Sequence, residues 1–200
     1  HPYEIDKFDE LTMEKYVNHP KCIAIGECGL DYFRLPEDEF EKQENIKKQK
    51  EVFIAQINFA KKVKKPLIVH IREASNDSRQ ILIDCNAKEV GGVLHCFNAS
   101  EHLLPLVEHN FYFGIGGVLT FKNAKKLVEI LPQIPKDKLL IETDAPYLTP
   151  HPHRGERNEP YYTVFVAQKM AELLNITEEE IQELTTNNAK KLFKEFSSLS

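Results

Sequence analysis

The chain alternates short apolar runs with longer amphipathic stretches, and this alternation constrains its fold more than any other feature. Five runs are rich in aliphatic and aromatic residues and nearly continuous, at residues 22–25, 67–69, 92–94, 111–115 and 139–141. Strands buried on both faces have such continuous apolar sequences, as in parallel sheets, whereas half-exposed strands alternate apolar with polar residues. Five parallel strands are therefore predicted.

The stretches between the runs carry signals of helices. The longest, residues 36–65, places Phe53 on an apolar face opposite a lysine-rich face, and Pro66 is expected to end it before the next strand. Further helices are predicted at residues 76–87, 100–109, 123–131, 161–175 and 188–196.

Capping and helix-breaking residues mark several helix ends. Ser100 is the expected N-cap of the helix at residues 100–109. Thr177, with Glu180 three residues later, has the form of a capping box. Pro132 is expected to end the helix at residues 123–131.

Strand–helix alternation is typical of βα units around a parallel sheet. A complete (β/α)8 barrel takes about 250 residues, whereas this chain has 200 residues and begins at His1 rather than at a Met. We therefore expect an α/β fold of the TIM (β/α)8 barrel type that lacks its first strands in this chain. One N-terminally truncated domain is predicted over residues 1–200, and an open doubly wound sheet is the alternative.

Composition limits the classes of function. The chain is 42% hydrophobic and 28% charged, which suits one soluble globular domain, and no apolar run approaches the length of about 20 residues that a membrane span needs. Its net charge of −5 excludes binding of nucleic acid by overall charge alone, but not an enzyme that handles phosphates through metal ions. A cytoplasmic location is predicted because the cysteines have no paired spacing and are expected to be reduced, namely Cys22, Cys28, Cys85 and Cys96.

Four residues with metal-binding side chains follow four of the five apolar runs: Glu27, His70, His95 and Asp144. In a barrel the C-terminal strand ends form the rim of the active site, so these side chains are expected to converge there. Two histidines with two carboxylates are typical of sites for Zn²⁺, Mn²⁺ or Fe²⁺. A single such residue is more often a packing or capping residue, but four of them at the same position relative to their strands predict a metal centre.

Short sequence motifs surround these four residues and continue along the chain. The chain reads GECGLDY at 26–32, HIR at 70–72, HCF at 95–97, ETDAPYL at 142–148, PHPHRG at 150–155, NEP at 158–160 and NA at 188–189. In order and spacing, these motifs resemble those of the TatD family of metal-dependent deoxyribonucleases. The resemblance covers essentially the whole chain.

This resemblance implies an amidohydrolase-like barrel that hydrolyses phosphodiester bonds, as a 3′–5′ exodeoxyribonuclease on the 3′ end of single-stranded DNA. Glu27 would bridge two divalent ions, Mg²⁺, Mn²⁺ or Zn²⁺, and His70 and His95 would complete the shell of one ion. Asp144 would bind the other ion and position the attacking water, so Glu27 and Asp144 are the predicted catalytic residues. The family also has an HxH pair on its first strand, before the part seen here; His151 and His153 have that spacing but align with a different segment.

Three residues near the ligand motifs are predicted to bind substrate. Arg72 can contact a phosphate in a bidentate manner, and a salt bridge to a ligand carboxylate is the equal alternative. Arg154 can hold a phosphate or stabilise its own loop. Tyr32 is predicted to stack on an unpaired base, and Phe97 and Tyr147 are further candidates for such stacking outside these three, although such aromatic residues are more often packed in the core.

Two other functions are compatible with the same residues. One is an amidohydrolase-type esterase or deacylase that acts on a small substrate, because barrel folds host many reactions. The other is a non-catalytic barrel remnant that has lost the HxH pair. The four retained ligand-type residues argue against the remnant. No membrane association is expected.

Overall fold

Five parallel strands pair in the order in which they occur along the chain. The structure is a computed structural model that describes residues 1–194. The strands are β1 (Ile25–Asp31), β2 (Leu67–Arg72), β3 (Gly92–Leu94), β4 (Phe111–Ile115) and β5 (Leu139–Ile141). Within the described part of the chain, no strand closes the sheet by joining β1 to β5. The predicted alternation of strands and helices is thus confirmed. Within the described residues the strands form a parallel sheet that is not closed.

Six α-helices are described: α1 precedes the first strand, and the others connect strands or follow the last one. They are α1 (Glu10–Val17), α2 (Glu39–Val63), α3 (Ser75–Asp84), α4 (Lys125–Ile130), α5 (Thr163–Leu174) and α6 (Glu178–Leu192). Shorter 3₁₀ segments lie between them, at Pro2–Lys7, Ala87–Glu89, Glu101–His109, Gly117–Thr120, Leu131–Gln133, Lys136–Lys138 and Pro160–Tyr162. Within residues 1–194, no helix combines the length and the apolar composition that crossing a bilayer requires.

The sheet is buried on both faces, as the continuous apolar runs predicted. The predicted face of α2 is confirmed, because Phe53, Ile57 and Ala60 are all fully buried in the main core beside β2 residues such as Val69. On the other face of β3, β4 and β5, a smaller cluster packs against the end of α6: Val93, Tyr112, Leu140 and Leu192. The single domain over residues 1–200 stays a prediction, which the continuity of the main core supports.

The strand positions were partly wrong. Residues 22–24 precede β1, which begins at Ile25 and continues to Asp31, and β2 extends through His70 to Arg72. Two predicted ligands therefore lie inside strands rather than after them. The apolar pattern ended early because the functional residues in these strands are polar, so the pattern reports burial and not backbone conformation.

Two predicted helices also differ from the structure. Residues 101–109 form a 3₁₀ helix that contains Pro105, and Ser100 makes no side-chain capping bond. Proline has no N–H to donate and disturbs an α-helix at that position. The separate helix at residues 188–196 was wrong, because α6 is continuous from Glu178 to Leu192; residues 195 and 196 lie outside the described residues. The capping box of Thr177 at the start of α6 is confirmed.

Candidate metal centre

The four predicted ligands meet at the C-terminal end of the sheet. His70 Nδ1 lies 2.9 Å from Glu27 Oε1, and His95 Nε2 lies 3.8 Å from the same oxygen. His95 Nε2 also lies 3.4 Å from Asp144 Oδ1. Each of these side chains is partly buried. Side chains from four strands or strand ends therefore form one cluster, with Glu27 between the two histidines.

Glu27 is placed by an irregularity in β1. The pairing of β1 with β2 shifts by one residue between Ile25 and Cys28, which is the pattern of a β-bulge. Bulges change the direction of side chains and are common beside active sites. Gly26 is required here, because an added Cβ would lie 2.6 Å from the Cβ of Ile68.

Each histidine is held from behind by a second carboxylate. Asp31 Oδ2 lies 2.8 Å from His70 Nε2, and Glu142 Oε2 lies 2.5 Å from His95 Nδ1. Metal-binding histidines usually donate their other ring N–H to a carboxylate, which fixes the tautomer and the orientation of the ring. The free nitrogen of each ring, Nδ1 in His70 and Nε2 in His95, faces Glu27.

Glu142 is a residue of the cluster that the sequence pattern did not assign. Its Oε1 accepts a hydrogen bond of 2.9 Å from the backbone N–H of Cys96. Gly114 leaves room for it, since an added Cβ there would lie 3.0 Å from Glu142 Oε2. The signal that could have found Glu142 is its position directly after β5, on the same rim as Asp144.

The carboxylate behind His70 is equally well fixed. Asp31 is only 1% exposed, and Gln49 on α2 forms two backbone hydrogen bonds with it, both of 2.9 Å. The backbone N–H of Phe33 donates to Asp31 Oδ1 over 2.9 Å. Gln49 thus fixes the backbone of Asp31, and the bond from Phe33 would be lost if the carboxylate turned away from His70.

His1 is a further candidate ligand that the sequence pattern did not single out. The ligand atoms of His1, Glu27 and His70 all lie within 4.8 Å of one another. The ring of His1 packs edge-on against that of His70, with centroids 4.6 Å apart. Glu27 thus belongs to two donor groups, one with His1 and His70 and one with His95 and Asp144.

The electrostatics of the cluster favour bound positive charge. Burial opposes the charged form of His95, but hydrogen bonds with Asp144 and Glu142 and the charge of Glu27 raise its pKa to about 10. The pKa of His70 is also raised: burial lowers it, and its contacts with Glu27 and Asp31 outweigh that effect. Protons on the imidazoles thus balance the carboxylates, and a metal cation would compete with these protons.

The pKa of the Glu27 carboxyl group shifts in the opposite direction, to a lower value. Burial raises its pKa, but the hydrogen bond with His70 and the charges of His95 and His70 lower the pKa overall. The neighbouring thiols behave differently, because burial raises the pKa of Cys28 and Cys96 to about 12. Neither cysteine is a thiolate at neutral pH, so the charged donors of the cluster are its carboxylates.

The spacing of the donors fits a divalent ion. Donors about 2.1 Å from a tetrahedral metal lie roughly 3.4 Å from one another. The separations of 2.9, 3.4 and 3.8 Å within the cluster bracket that value. Imidazole nitrogens with carboxylate oxygens are also the donor chemistry of Zn²⁺ and Mn²⁺. The residues present therefore fit the predicted metal.

A cleft of about 850 Å³ opens over the cluster. Only some of the predicted substrate residues line this cleft. Arg72 and Tyr147 line this cleft, whereas Tyr32 and Arg154 lie outside its lining. Arg72 pairs with no carboxylate among residues 1–194; its guanidinium carbon lies 3.6 Å from the centre of the Phe33 ring. The salt-bridge alternative for Arg72 is therefore absent from the described part of the chain.

The residues outside the cleft have structural contacts. Tyr32 donates a hydrogen bond of 2.8 Å to Asp77 Oδ2. Arg154 stacks on Phe121 and donates to the carbonyl of Thr149 over 3.0 Å, which stabilises its own loop. Phe97, by contrast, lines the cleft, but its side chain is buried. Substrate roles for Tyr32 and Arg154 stay predictions that these contacts do not favour.

Asn158 braces the loop that carries Asp144. This buried side chain donates hydrogen bonds of 2.7 and 2.6 Å to the carbonyls of Thr143 and Tyr147, on either side of Asp144. Asp144 itself has a left-handed backbone, with φ of 54°. A non-glycine residue is held in this region only where its surroundings determine the conformation, and such positions cluster at functional sites.

Comparisons with known proteins identify the family of the chain. The family model described as TatD related DNase matches residues 1–194. The metal-dependent hydrolase YabD of Bacillus subtilis is 50% identical over 200 residues, which cover 97% of this chain and 75% of YabD. The 3′-5′ ssDNA/RNA exonuclease TatD of Escherichia fergusonii is 35% identical over 206 residues, which cover 96% of this chain and 75% of the relative.

A solved structure shows the same fold. The TatD homologue YjjV of Escherichia coli superposes with a TM-score of 0.84 at 26% identity, over 97% of this chain and 74% of YjjV. The predicted TIM-barrel type is thus confirmed, with five strands of the barrel present in the described residues. The chain belongs to the TatD-related DNase family of metal-dependent hydrolases.

Proposed function

We propose that this chain is a 3′–5′ exonuclease that hydrolyses single-stranded DNA with two divalent ions held by Glu27, His70, His95 and Asp144. One observation carries the proposal: a single oxygen of Glu27 lies within 2.9 Å of His70 and 3.8 Å of His95. This position between the two histidines supports the bridging role that is predicted for Glu27. The exonuclease named among the relatives supports the choice of substrate.

Divalent ions, when bound, would polarise the scissile phosphodiester and lower the pKa of water towards about 7. The residues of the chain provide the rest. Asp31 and Glu142 hold the two imidazoles so that Nδ1 of His70 and Nε2 of His95 face the cluster. Asp144, on the braced loop, orients the attacking water and accepts its proton.

Arg72 has the position and the free charge to hold a phosphate at the rim. Its guanidinium lines the cleft and makes no ion pair within residues 1–194. A planar guanidinium binds two oxygens of a phosphate at once. A neutral ester or amide offers no such group, so Arg72 favours a nuclease over an esterase or a deacylase of neutral substrates.

Among the predicted ions, Mn²⁺ and Zn²⁺ suit the centre best, because imidazole nitrogens are poorer ligands for Mg²⁺. We further propose a cytoplasmic location and the 3′ end of single-stranded DNA as the partner. All four cysteines are free thiols, which supports a reducing compartment.

The test is release of nucleotides from 3′-labelled single-stranded DNA in Mn²⁺ or Mg²⁺, with excess EDTA as the metal-free arm. Glu27→Ala should lose bound metal and activity together, whereas Glu108→Ala, at an exposed carboxylate outside the cleft, should retain both. Ester and N-acyl substrates form the second arm. Metal-dependent turnover of those substrates without release of nucleotides would overturn the proposal.

A further inference from the structure

The two sides of the cleft come from opposite ends of the five-stranded sheet. Phe33 follows β1 and Arg72 is the last residue of β2, whereas Lys126 and Tyr147 follow β4 and β5, with β3 between them. Arg72, Lys126 and Tyr147 line the cleft that contains the metal centre, and Phe33, outside this lining, contacts Arg72. A ligand that touches both sides must therefore cross the candidate metal centre.

The β1–β2 side carries a cation stacked on an exposed ring. Phe33 is 48% exposed, and Arg72 lies 3.6 Å above its centre. Next to this pair, Arg34 lies 6.0 Å from the ring of Tyr3, and both residues line the cleft. Neither arginine has a carboxylate partner within residues 1–194. Stacking directs a guanidinium without using its hydrogen-bond donors, so these remain available to a ligand.

The β4–β5 side also carries cations and an exposed aromatic ring. Lys126 lies on α4 near Lys122 and Lys125, and within the described part of the chain none of the three forms an ion pair. Tyr147 is 70% exposed, yet its backbone is fixed: its N–H donates to Asp144 over 2.8 Å, and its carbonyl accepts from Asn158. An exposed ring on a braced loop loses little entropy when a ligand packs against it.

The neighbouring groove, between Pro2–Lys7 and α2, has a different balance of charges. Its lining includes four carboxylates and three cations, of which Arg34 is shared with the cleft and Lys48 is already paired with Asp6. The cleft also contains three carboxylates, but these belong to the candidate metal centre, where bound cations would offset their charge. The unpaired cations therefore favour the cleft as the place for a negatively charged strand, although the whole chain carries a net charge of −5.

We propose that these two sides form a clamp for an unpaired nucleic-acid strand, in which Tyr147 and the Phe33–Arg72 pair each stack a base while Lys126 and Arg72 contact phosphates. Bases in a duplex are stacked on one another and cannot lie on two separate rings, so the clamp selects single strands. This inference rests on the proposed nuclease function and names the residues that would hold its substrate.

The test is binding of a fluorescent phosphorothioate oligothymidine, which resists hydrolysis, to the Mn²⁺-loaded protein at several salt concentrations. Tyr147→Ala should weaken binding by about 5-fold or more, because a stacked base contributes that much, without changing the salt dependence. Tyr161→Ala is the matched control, at a ring that is 76% exposed and outside the cleft. Phe33→Ala should behave like Tyr147→Ala, and Phe40→Ala is its control.

Removal of a cation should give a different result. Lys126→Ala should reduce the slope of log K against log salt by about 0.7, the value for one phosphate contact with a single strand. Lys136→Ala, at an exposed lysine outside the cleft, should leave the slope unchanged.

The outcomes separate the two proposals. If the wild type neither binds nor hydrolyses the single strand, the proposed function fails. If it does both, but Tyr147→Ala, Phe33→Ala and Lys126→Ala bind like their controls, only the clamp is wrong. An equal loss of affinity of Tyr147→Ala for a blunt duplex would also overturn the clamp, because paired bases cannot stack there.

Discussion

Glu142 Oε2 lies 2.5 Å from His95 Nδ1, and this contact directs Nε2 of the same ring towards Asp144 and Glu27. The same carboxylate accepts a hydrogen bond from the backbone of Cys96. Glu142 therefore fixes both the side chain and the backbone of the third strand end. It is a positioning residue, because it acts on the metal centre through His95.

Glu142→Gln should weaken metal binding or activity by about 10- to 100-fold, the usual effect of removing a carboxylate behind a metal-binding histidine. A carboxamide has one acceptor oxygen and cannot serve both His95 and Cys96. Metal affinity by competition with a chelating dye, and the tautomer of His95 by ¹⁵N NMR, measure the effect. Unchanged affinity with an unchanged tautomer would remove Glu142 from the site.

Asp144→Asn should keep the fold and lose turnover by about 10²-fold or more, because an amide cannot accept a proton from water. Thermal unfolding checks the fold, and release of labelled nucleotides checks turnover. Asp137→Asn, in a 3₁₀ turn that contains no proposed ligand, is the control. Turnover of Asp144→Asn at the rate of the wild type would contradict the proposed proton acceptor.

The metal-free protein should lose stability as pH rises from about 6.5 to about 10. The folded state raises the pKa of His95 from 6.5 to about 10, so it binds this proton more tightly than the unfolded chain does. The resulting stabilisation is complete below pH 6.5 and disappears as pH passes the folded pKa.

Melting temperatures in EDTA across this range measure the effect. His95→Gln, which does not titrate, should show a smaller decrease, and His102→Gln, at an exposed histidine, should decrease like the wild type. Equal pH dependence in His95→Gln and the wild type would show that His95 is not the group responsible.

Asn158→Ala should destabilise the protein by about 1–3 kcal/mol, because it leaves two carbonyls beside Asp144 without their donor. Looser positioning of Asp144 should also lower turnover, by about tenfold or more. Urea unfolding and kcat measure the two effects, and Asn187→Ala, at an exposed position of α6, is the control. Loss of stability with an unchanged kcat would show that the loop does not need this brace for activity.

Tyr32→Phe should cost about 0.5–1.5 kcal/mol of stability through the lost hydrogen bond to Asp77, with little change in the rate on single-stranded DNA. Chemical denaturation and steady-state kinetics on the same preparation separate the two effects. A large rise in KM with unchanged stability would instead support the predicted substrate role of Tyr32.

The metal centre shows which residues local sequence patterns can identify and which they cannot. Glu27, His70, His95 and Asp144 could be found from the sequence because parallel strands end at one rim, so a residue at that register must point to a common site. Glu142 follows β5 as closely as Asp144 does, but it is far from His95 in the chain. Its contact with His95, and the bulge that directs Glu27, are consequences of strand pairing.

The aromatic residues show the same limit. Tyr32, Phe97 and Tyr147 are equally close to ligand motifs, yet one hydroxyl is bound to Asp77, one ring is buried, and only Tyr147 lies exposed at the cleft. Sequence distance from a ligand does not determine the direction of a side chain, which follows from the path of each loop.

The sequence by itself determined the parallel α/β fold, the apolar face of α2 and the capping box of α6, because burial and capping leave periodic local signals. It also predicted four ligands, whose side chains the fold brings together. Only the tertiary structure decided the carboxylates behind each histidine, the position of His1 and the residues that line the cleft. Those relations join atoms that are dozens of residues apart, and their geometry depends on register, bulges and loop paths that no local pattern encodes.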